Sequence, residues 1–174
     1  EGAPRLHRGW AELLSTGALA GIEVSIGVLA LLAVEQQTGS ALLGGLAFSF
    51  GFIALLLGHS ELFTEGFLVP IAVAAAGEAS WWQVLRLWIG TAVANLGGGW
   101  LLTYSAMKAY PDLHATAITS GAFFIDSGIT TRSLCMAILA GAVITLMTRM
   151  VNGTESMPAR VMAVIASAFV LAGL

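Results

Sequence analysis

The sequence predicts an all-α, polytopic membrane protein, on its composition and on the spacing of its apolar runs. Apolar residues make up 57% of the 174 residues and charged residues 10%, whereas a soluble domain carries about 25% charged residues. Seven basic and ten acidic side chains, with a net charge of −3, cannot cover a soluble globule. These values exclude an ordinary soluble enzyme, a disordered protein and a nucleic-acid-binding protein, which needs a basic patch.

The reactive residue types are sparse and scattered. A single cysteine, Cys135, excludes a disulfide framework and a cysteine-rich metal site. The histidines, at positions 7, 59 and 114, are too far apart in sequence to predict a metal site. Because no nucleophile–base pair is visible either, we expect no catalytic residue, no metal, no cofactor, no nucleic-acid partner and no enzymatic activity.

The apolar runs divide the chain into a short lead and one transmembrane domain. Residues 1–16 read as a cytoplasmic lead, with Trp10 at the membrane interface, and residues 17–174 form the domain. A helix needs ~20 apolar residues to cross a bilayer core, and the spans are assigned on that length. The predicted spans are 17–34, 41–77 with a break near 58–66, 87–107, 121–148 and 161–174, the last of them incomplete.

The first span carries one charge, Glu23, and a row of small residues. Gly17, Gly21 and Ser25 lie four residues apart, which places them on one helix face and predicts close approach of another helix. Glu23 could pair with His59 or with Arg132, or belong to a structural or subunit-interface pair. In the third span, Asn95 predicts either an interhelical hydrogen bond or a structural kink.

The second span is interrupted by a polar stretch. After the uncharged run 41–57 come His59, Glu61 and Glu65 with two hydroxyl residues, and the next apolar run, 67–77, is too short to cross a bilayer. Non-helical backbone at membrane depth occurs only where protein buries it or a wet cavity meets it. We therefore interpret the stretch as a permeation pathway between two half-helices, and keep a cytoplasmic loop as the alternative.

Two further features of the interruption leave alternatives open. His59 is either a proton-exchanging group, since histidine as a residue type changes its charge near neutral pH, or a histidine satisfied by a neighbouring helix or carboxylate. Phenylalanines cluster around the break and either form an apolar constriction that excludes water or face lipid and the core. These residues are Phe48, Phe50, Phe52, Phe63 and Phe67.

The distribution of basic residues predicts that the N-terminus lies in the cytoplasm. With the N-terminus inside, the loops place five arginines in the cytoplasm and only Lys108 outside, as the positive-inside rule requires. The five are Arg5, Arg8, Arg86, Arg149 and Arg160.

The run Glu61-Leu62-Phe63-Thr64 between a span and a half-span resembles the broken second helix of the formate/nitrite transporter family. Two weaker stretches agree with it. Residues 139–147 look like the fourth-span segment of the family, and residues 169–174 look like the start of its fifth-span segment.

The resemblance implies an aquaporin-like fold of six spans in inverted repeats, assembled as a homopentamer with one pore in each subunit. It implies passage of small monovalent weak-acid anions such as formate or nitrite across a bacterial inner membrane, passive or proton-coupled. By position, Thr64 corresponds to the family's loop threonine. Phe63, Phe48 and Phe169 correspond to the aromatic residues of its slits, and His59, Glu61 and Leu62 complete the predicted pathway, with Glu23 and Asn95 as polar support.

The chain departs from the family pattern at several positions. Glu65-Gly66 replaces Gly-Asn after the loop threonine, Gly141 replaces an asparagine, and Ile125 stands where a lysine is usual. These departures indicate a divergent member and keep two alternatives open, a non-conducting structural or regulatory protein and a neutral-solute channel. The family's central histidine would fall two residues after Leu174, so we expect the biological chain to be longer.

Overall fold

A computed structural model describes residues 2–173, and every regular element within that range is helical. The prediction of an all-α fold is thus confirmed. The helices are α1 Gly2–His7, α2 Trp10–Thr38, α3 Ala41–Gly58, a 3-10 helix Phe63–Phe67, α4 Val69–Ala75, α5 Trp81–Ala109, a 3-10 helix Pro111–Leu113, α6 His114–Asp126, α7 Thr131–Asn152 and α8 Met157–Gly173.

Three helices of the described range are long and apolar enough to cross a membrane, namely α2, α3 and α7. The segment 63–75 and helix α8 are apolar but shorter. Helix α5 is as long as α2, with 29 residues. Its mean hydropathy is lower because it contains the polar Asn95 and several glycines and tryptophans. Helix α2 begins at Trp10, so residues 10–16 of the predicted lead are helical and continuous with the first predicted span.

The second span is broken, as the sequence predicts. Helix α3 ends at Gly58, and His59 follows with a left-handed backbone (φ 52°). The chain then runs through the 3-10 helix Phe63–Phe67 into the seven-residue α4. Pro70, in the first turn of α4, has no N–H to leave unpaired, which suits a helix start.

The predicted fourth span, 121–148, is divided in the structure and is corrected here. Helix α6 ends at Asp126 and α7 begins at Thr131. Gly128 has a positive φ of 56°, and Thr130 forms a reciprocal capping box with Ser133. These are ordinary stop and start signals, which the apolar residues on both sides of the break obscured in the sequence.

The small residues of the first span pack against α5. A Cβ atom on Gly21 would lie 2.1 Å from the carbonyl oxygen of Asn95, and one on Gly98 would lie 2.1 Å from that of Ala18. Ser25 donates a hydrogen bond to the Gly99 carbonyl at 3.2 Å. Only glycine permits backbones this close, so the predicted small-residue face is the α2–α5 contact.

Helix α2 contacts α3 as well as α5, and α3 in turn contacts α8. Gly27 and Gly51 bring α2 and α3 together, since a Cβ atom on Gly51 would lie 2.7 Å from the Glu23 carbonyl oxygen. The 3-10 helix in the break contacts α5 and α7. The break in the second span therefore lies inside the helix bundle.

Candidate functional site

The interruption after α3 lies beside the middle of α5. Its principal neighbour there is Asn95, the midpoint of α5. From α2, the carbonyl of Thr16 accepts a hydrogen bond from the Glu61 N–H at 3.3 Å. The loop is therefore held between two long helices and does not extend beyond their ends.

Asn95 makes three hydrogen bonds that join α5 to the loop and to α2. Its Nδ2 donates to the carbonyl oxygens of Gly17 at 2.8 Å and Glu61 at 3.0 Å. Its Oδ1 accepts from the Phe63 N–H at 2.8 Å. Backbone groups outside a helix need such partners at membrane depth, and the amide supplies them on both sides of Leu62.

Two arginines near the N-terminus hold the carboxylate of Glu61, which is 1% exposed. Arg8 Nη1 donates to Oε2 at 2.7 Å, and Arg5 Nη1 lies 3.3 Å from Oε1. Arg86 fixes the same segment, donating to the carbonyls of Leu6 and Arg8 at 2.9 and 2.6 Å. Sequence reasoning missed this network, because Glu61 and its partners are more than fifty positions apart.

Aromatic side chains contact the second half of the loop, in the 3-10 helix Phe63–Phe67. Trp88 donates through Nε1 to the carbonyl of Gly66 at 2.9 Å. The ring of Phe67 stacks on Trp88 with centroids 4.7 Å apart, and Phe63 meets Phe67 edge to face at 5.1 Å. The 3-10 helix is thereby attached to α5 at both ends, by Asn95 and by Trp88.

Glu23 lies next to the end of α3. A Cβ atom on Gly58 would be 2.8 Å from Glu23 Oε1 and 3.3 Å from the Ser60 hydroxyl. None of the ion pairs of the described residues includes Glu23, so it is paired with neither His59 nor Arg132. The two suggested pairings are therefore not found in this structure.

A cavity of about 330 Å³ lies next to the break in the second span. It is bordered by the N-terminal segment, residues 4–8, by the end of α3, by α7 and by the start of α8. Its polar lining includes three arginines, Arg5, Arg8 and Arg160, together with His59 and Glu65. The apolar lining comes from α3, α7 and α8, including Phe52, Leu55, Leu56, Met147, Val151 and Val164. The cavity is thus charged along one part of its wall and apolar along another.

The other residues predicted for the pathway do not line this cavity. Leu62 is buried in the core and Thr64 is exposed. Phe48 meets Phe52 edge to face at 4.8 Å, whereas Phe169 is 43% exposed. None of the ring contacts of the described residues joins two of Phe48, Phe63 and Phe169, and their role in a slit stays a prediction. No set of three potential metal ligands occurs within residues 2–173.

Comparison with known proteins decides the family. All of residues 1–174 match the profile of the formate/nitrite transporter family. The chain belongs to that family. It is a family of transporters and not of enzymes, and together with the apolar helices this makes the chain a membrane protein.

Relatives of the formate/nitrite transporter family support the assignment. The formate channel FocA from three strains of Escherichia coli is 31% identical over 88 residues. That alignment covers 47% of this chain and 30% of the length of FocA. A solved structure of a pentameric formate channel with formate bound superposes with a TM-score of 0.80 and 23% identity, covering 93% of this chain and 68% of that one. The superposition confirms the predicted fold.

Proposed function

We propose that this protein conducts small monovalent weak-acid anions, such as formate or nitrite, across a bacterial inner membrane. In this proposal it assembles as a homopentamer with a pore in each subunit and a cytoplasmic N-terminus. Family membership and the name of the FocA relatives support the substrate class. The pentameric neighbour supports the assembly.

The observation that carries the proposal is the arginine-lined cavity. Arg5, Arg8 and Arg160 line it together with one acidic residue, Glu65. Arg5 and Arg8 are paired with the carboxylates of Glu61 and Glu12, whereas none of the ion pairs of the described residues includes Arg160. A charge without an ionic partner in a cleft with low-dielectric walls attracts ions of the opposite sign, and Arg160 is such a charge. Arginine also offers several fixed N–H donors to a carboxylate. The cavity thus suits collection of a small anion.

The arginines compensate for the groups that the family pattern leads one to expect elsewhere. Ile125, at the lysine position, is 82% exposed on α6. A Cβ atom on Gly141, at the asparagine position, would meet no atom within 4 Å. Neither residue lines the cavity, so in this proposal the attraction of the anion comes from the N-terminal segment and α8.

Passage past the apolar wall requires that the anion lose water. Desolvating an ionised carboxylate is far more costly than desolvating its neutral acid. His59 lines the same cavity. In this proposal its imidazolium form gives a proton to the anion, and the neutral imidazole left behind takes a proton from water before the next anion passes, giving proton-coupled transport. If the His59→Phe variant keeps the pH dependence of flux, this proton role is excluded.

The test is flux into liposomes that contain the full chain. We expect formate uptake to fall about tenfold in Arg160→Gln, the lower end of the rate gain from a charged cleft, and to persist in Arg160→Lys. Arg132→Gln is the matched control, since Arg132 is exposed on α7 and does not line the cavity. Size-exclusion profiles check that each variant is assembled, because Arg160 Nε also donates to the Thr154 carbonyl.

The acidic Glu65 in the cavity favours a second candidate, a channel for neutral polar solutes. Uptake of glycerol or urea without uptake of formate, nitrite or acetate would support that candidate and contradict the first. Intact pentamers that pass none of these solutes would support a non-conducting structural or regulatory protein.

A further inference from the structure

We infer that Asn95 is a positioning residue that sets the place of the loop carrying Thr64 in the permeation pathway. The inference rests on the proposed function, since it assigns Asn95 a role in selecting what passes. Asn95 is on a different helix from the loop, 32 positions from Phe63, and it need not touch the permeant. The role we assign to it acts through the loop backbone.

The three partners of Asn95 fix the orientation of its side-chain amide. A carboxamide has two N–H donors and one acceptor oxygen. The carbonyls of Gly17 and Glu61 can only accept, and the Phe63 N–H can only donate. The flipped amide would place like groups against each other at all three contacts. The observed orientation therefore uses every N–H of the side chain and its oxygen.

The two loop contacts of Asn95 lie on either side of Leu62, directly before Thr64. Glu61 O and Phe63 N are outside regular α-helix, between the end of α3 and α4. The Glu61 N–H is paired with the Thr16 carbonyl and the Glu65 N–H with that of Leu62. Asn95 completes this set of pairings, so its removal leaves a donor and an acceptor of the loop unpaired.

The glycines of α2 and α5 place Asn95 where it can reach both neighbours. A Cβ atom on Gly17 would lie 2.8 Å from the Ala94 Cβ, and one on Gly21 would lie 2.1 Å from the Asn95 carbonyl oxygen. At this separation the short asparagine side chain spans from α5 to the Gly17 carbonyl. Aspartate has the same length but lacks both donors, and leucine lacks donor and acceptor.

The experiment measures the loop directly and the flux separately. In the full chain, with Cys135→Ser to remove the exposed native thiol, Thr64→Cys is labelled with a small methanethiosulfonate reagent. We expect Asn95→Leu to change the labelling rate by about tenfold, because unpaired buried groups shift local equilibria by that order. With Thr64 intact, Asn95→Leu should also change the ratio of formate to acetate flux.

Ser105→Ala is the matched control on α5. The Ser105 hydroxyl is exposed and, among the described residues, donates a hydrogen bond to the Leu101 carbonyl of its own helix and to no other helix. We expect it to leave labelling and flux ratio unchanged. If Asn95→Leu does not assemble, Asn95→Asp replaces it, because that variant keeps the acceptor for Phe63 and loses both donors.

The outcomes separate the two proposals. Wild-type labelling and flux ratio in an assembled Asn95 variant would overturn the positioning role. A flux ratio equal to that of wild type with altered labelling would also overturn it, since the loop would then move without effect on selection. If the wild type carries no anion but labelling depends on Asn95, the proposed function and the role in selection fail, and Asn95 is left as a structural anchor.

Discussion

Helices α2 and α5 are packed much more closely against each other than α6 and the start of α7 are packed against the rest of the protein. Between α2 and α5, backbone meets backbone, with Gly21 and Gly98 leaving no room for a Cβ atom. Helix α6 contributes no buried residue, and a Cβ atom on its Gly121 would meet no neighbour within 4 Å. Yet α6 is also apolar, with Ile118 71% and Phe124 79% exposed.

The difference shows that hydropathy does not identify the packed helices of a membrane protein. Lipid tails are as apolar as leucine, so apolar side chains on α6 gain little by turning inward. Small residues at four-residue spacing do identify the packed face, as Gly17, Gly21 and Ser25 do in α2. Paired substitutions, one in each region, test this difference.

The largest expected effect is that of Gly21→Ala. Its new methyl group would lie 2.1 Å from the Asn95 carbonyl oxygen, so α2 and α5 must separate. We expect a loss of about 3 kcal/mol or more in the free energy of unfolding, the upper range for overpacking. Thermal denaturation in detergent measures it.

Gly121→Ala is the matched control in α6. We expect its stability to be unchanged or raised by up to ~1 kcal/mol, since alanine favours the helix and the site is open. Equal denaturation midpoints for the two variants would contradict the contrast between the regions.

A smaller effect is expected for Glu61→Gln, which removes the charge between Arg5 and Arg8. The carboxylate is buried but the arginine side chains are 28% and 20% exposed. We therefore expect a loss of about 2 kcal/mol, below the full effect of breaking a buried pair. The denaturation midpoint of the purified oligomer measures it.

Asp126→Asn provides the comparison from the other region, since Asp126 is exposed at the end of α6. Its midpoint should stay within error of the wild type. A midpoint for Glu61→Gln as high as that of Asp126→Asn would show that the N-terminal ion pairs add nothing to stability.

The smallest expected effect compares two tryptophans on α5. Trp88→Phe loses the hydrogen bond to the Gly66 carbonyl while keeping an aromatic ring beside Phe67. Trp100 is 71% exposed and stacks only on Tyr104, among the described ring contacts. We expect Trp88→Phe to cost about 1 kcal/mol and Trp100→Phe less, measured as the shift in midpoint between them.

The sequence predicted the main elements of the fold because their signals are local. The eleven apolar residues after the polar stretch were too few to span a bilayer, and the structure indeed breaks the helix there. The division between α6 and α7 also had a local signal, Gly128 followed by the Thr130 capping box. Phe123, Phe124, Ile125 and Ile129 carried the hydropathy across the break and hid it.

The contacts of the site were less predictable, because they join distant segments. An interhelical hydrogen bond was one of two roles predicted for Asn95, beside a structural kink, and its partners on α2 and the loop depend on how three helices meet. Glu61 was placed in the pathway, but nothing local in the sequence indicates that Arg5 and Arg8 hold it. The cavity likewise draws its arginines from both ends of the chain.

The left-handed backbone at His59 separates two kinds of selection on one residue. With φ at 52°, the position suits glycine, whereas most L-residues lose about 1 kcal/mol or more there. Selection for folding alone would favour glycine at the end of α3. Selection for an imidazole at the cavity would keep histidine, so among related chains the residue at this position reports which of the two pressures has been stronger.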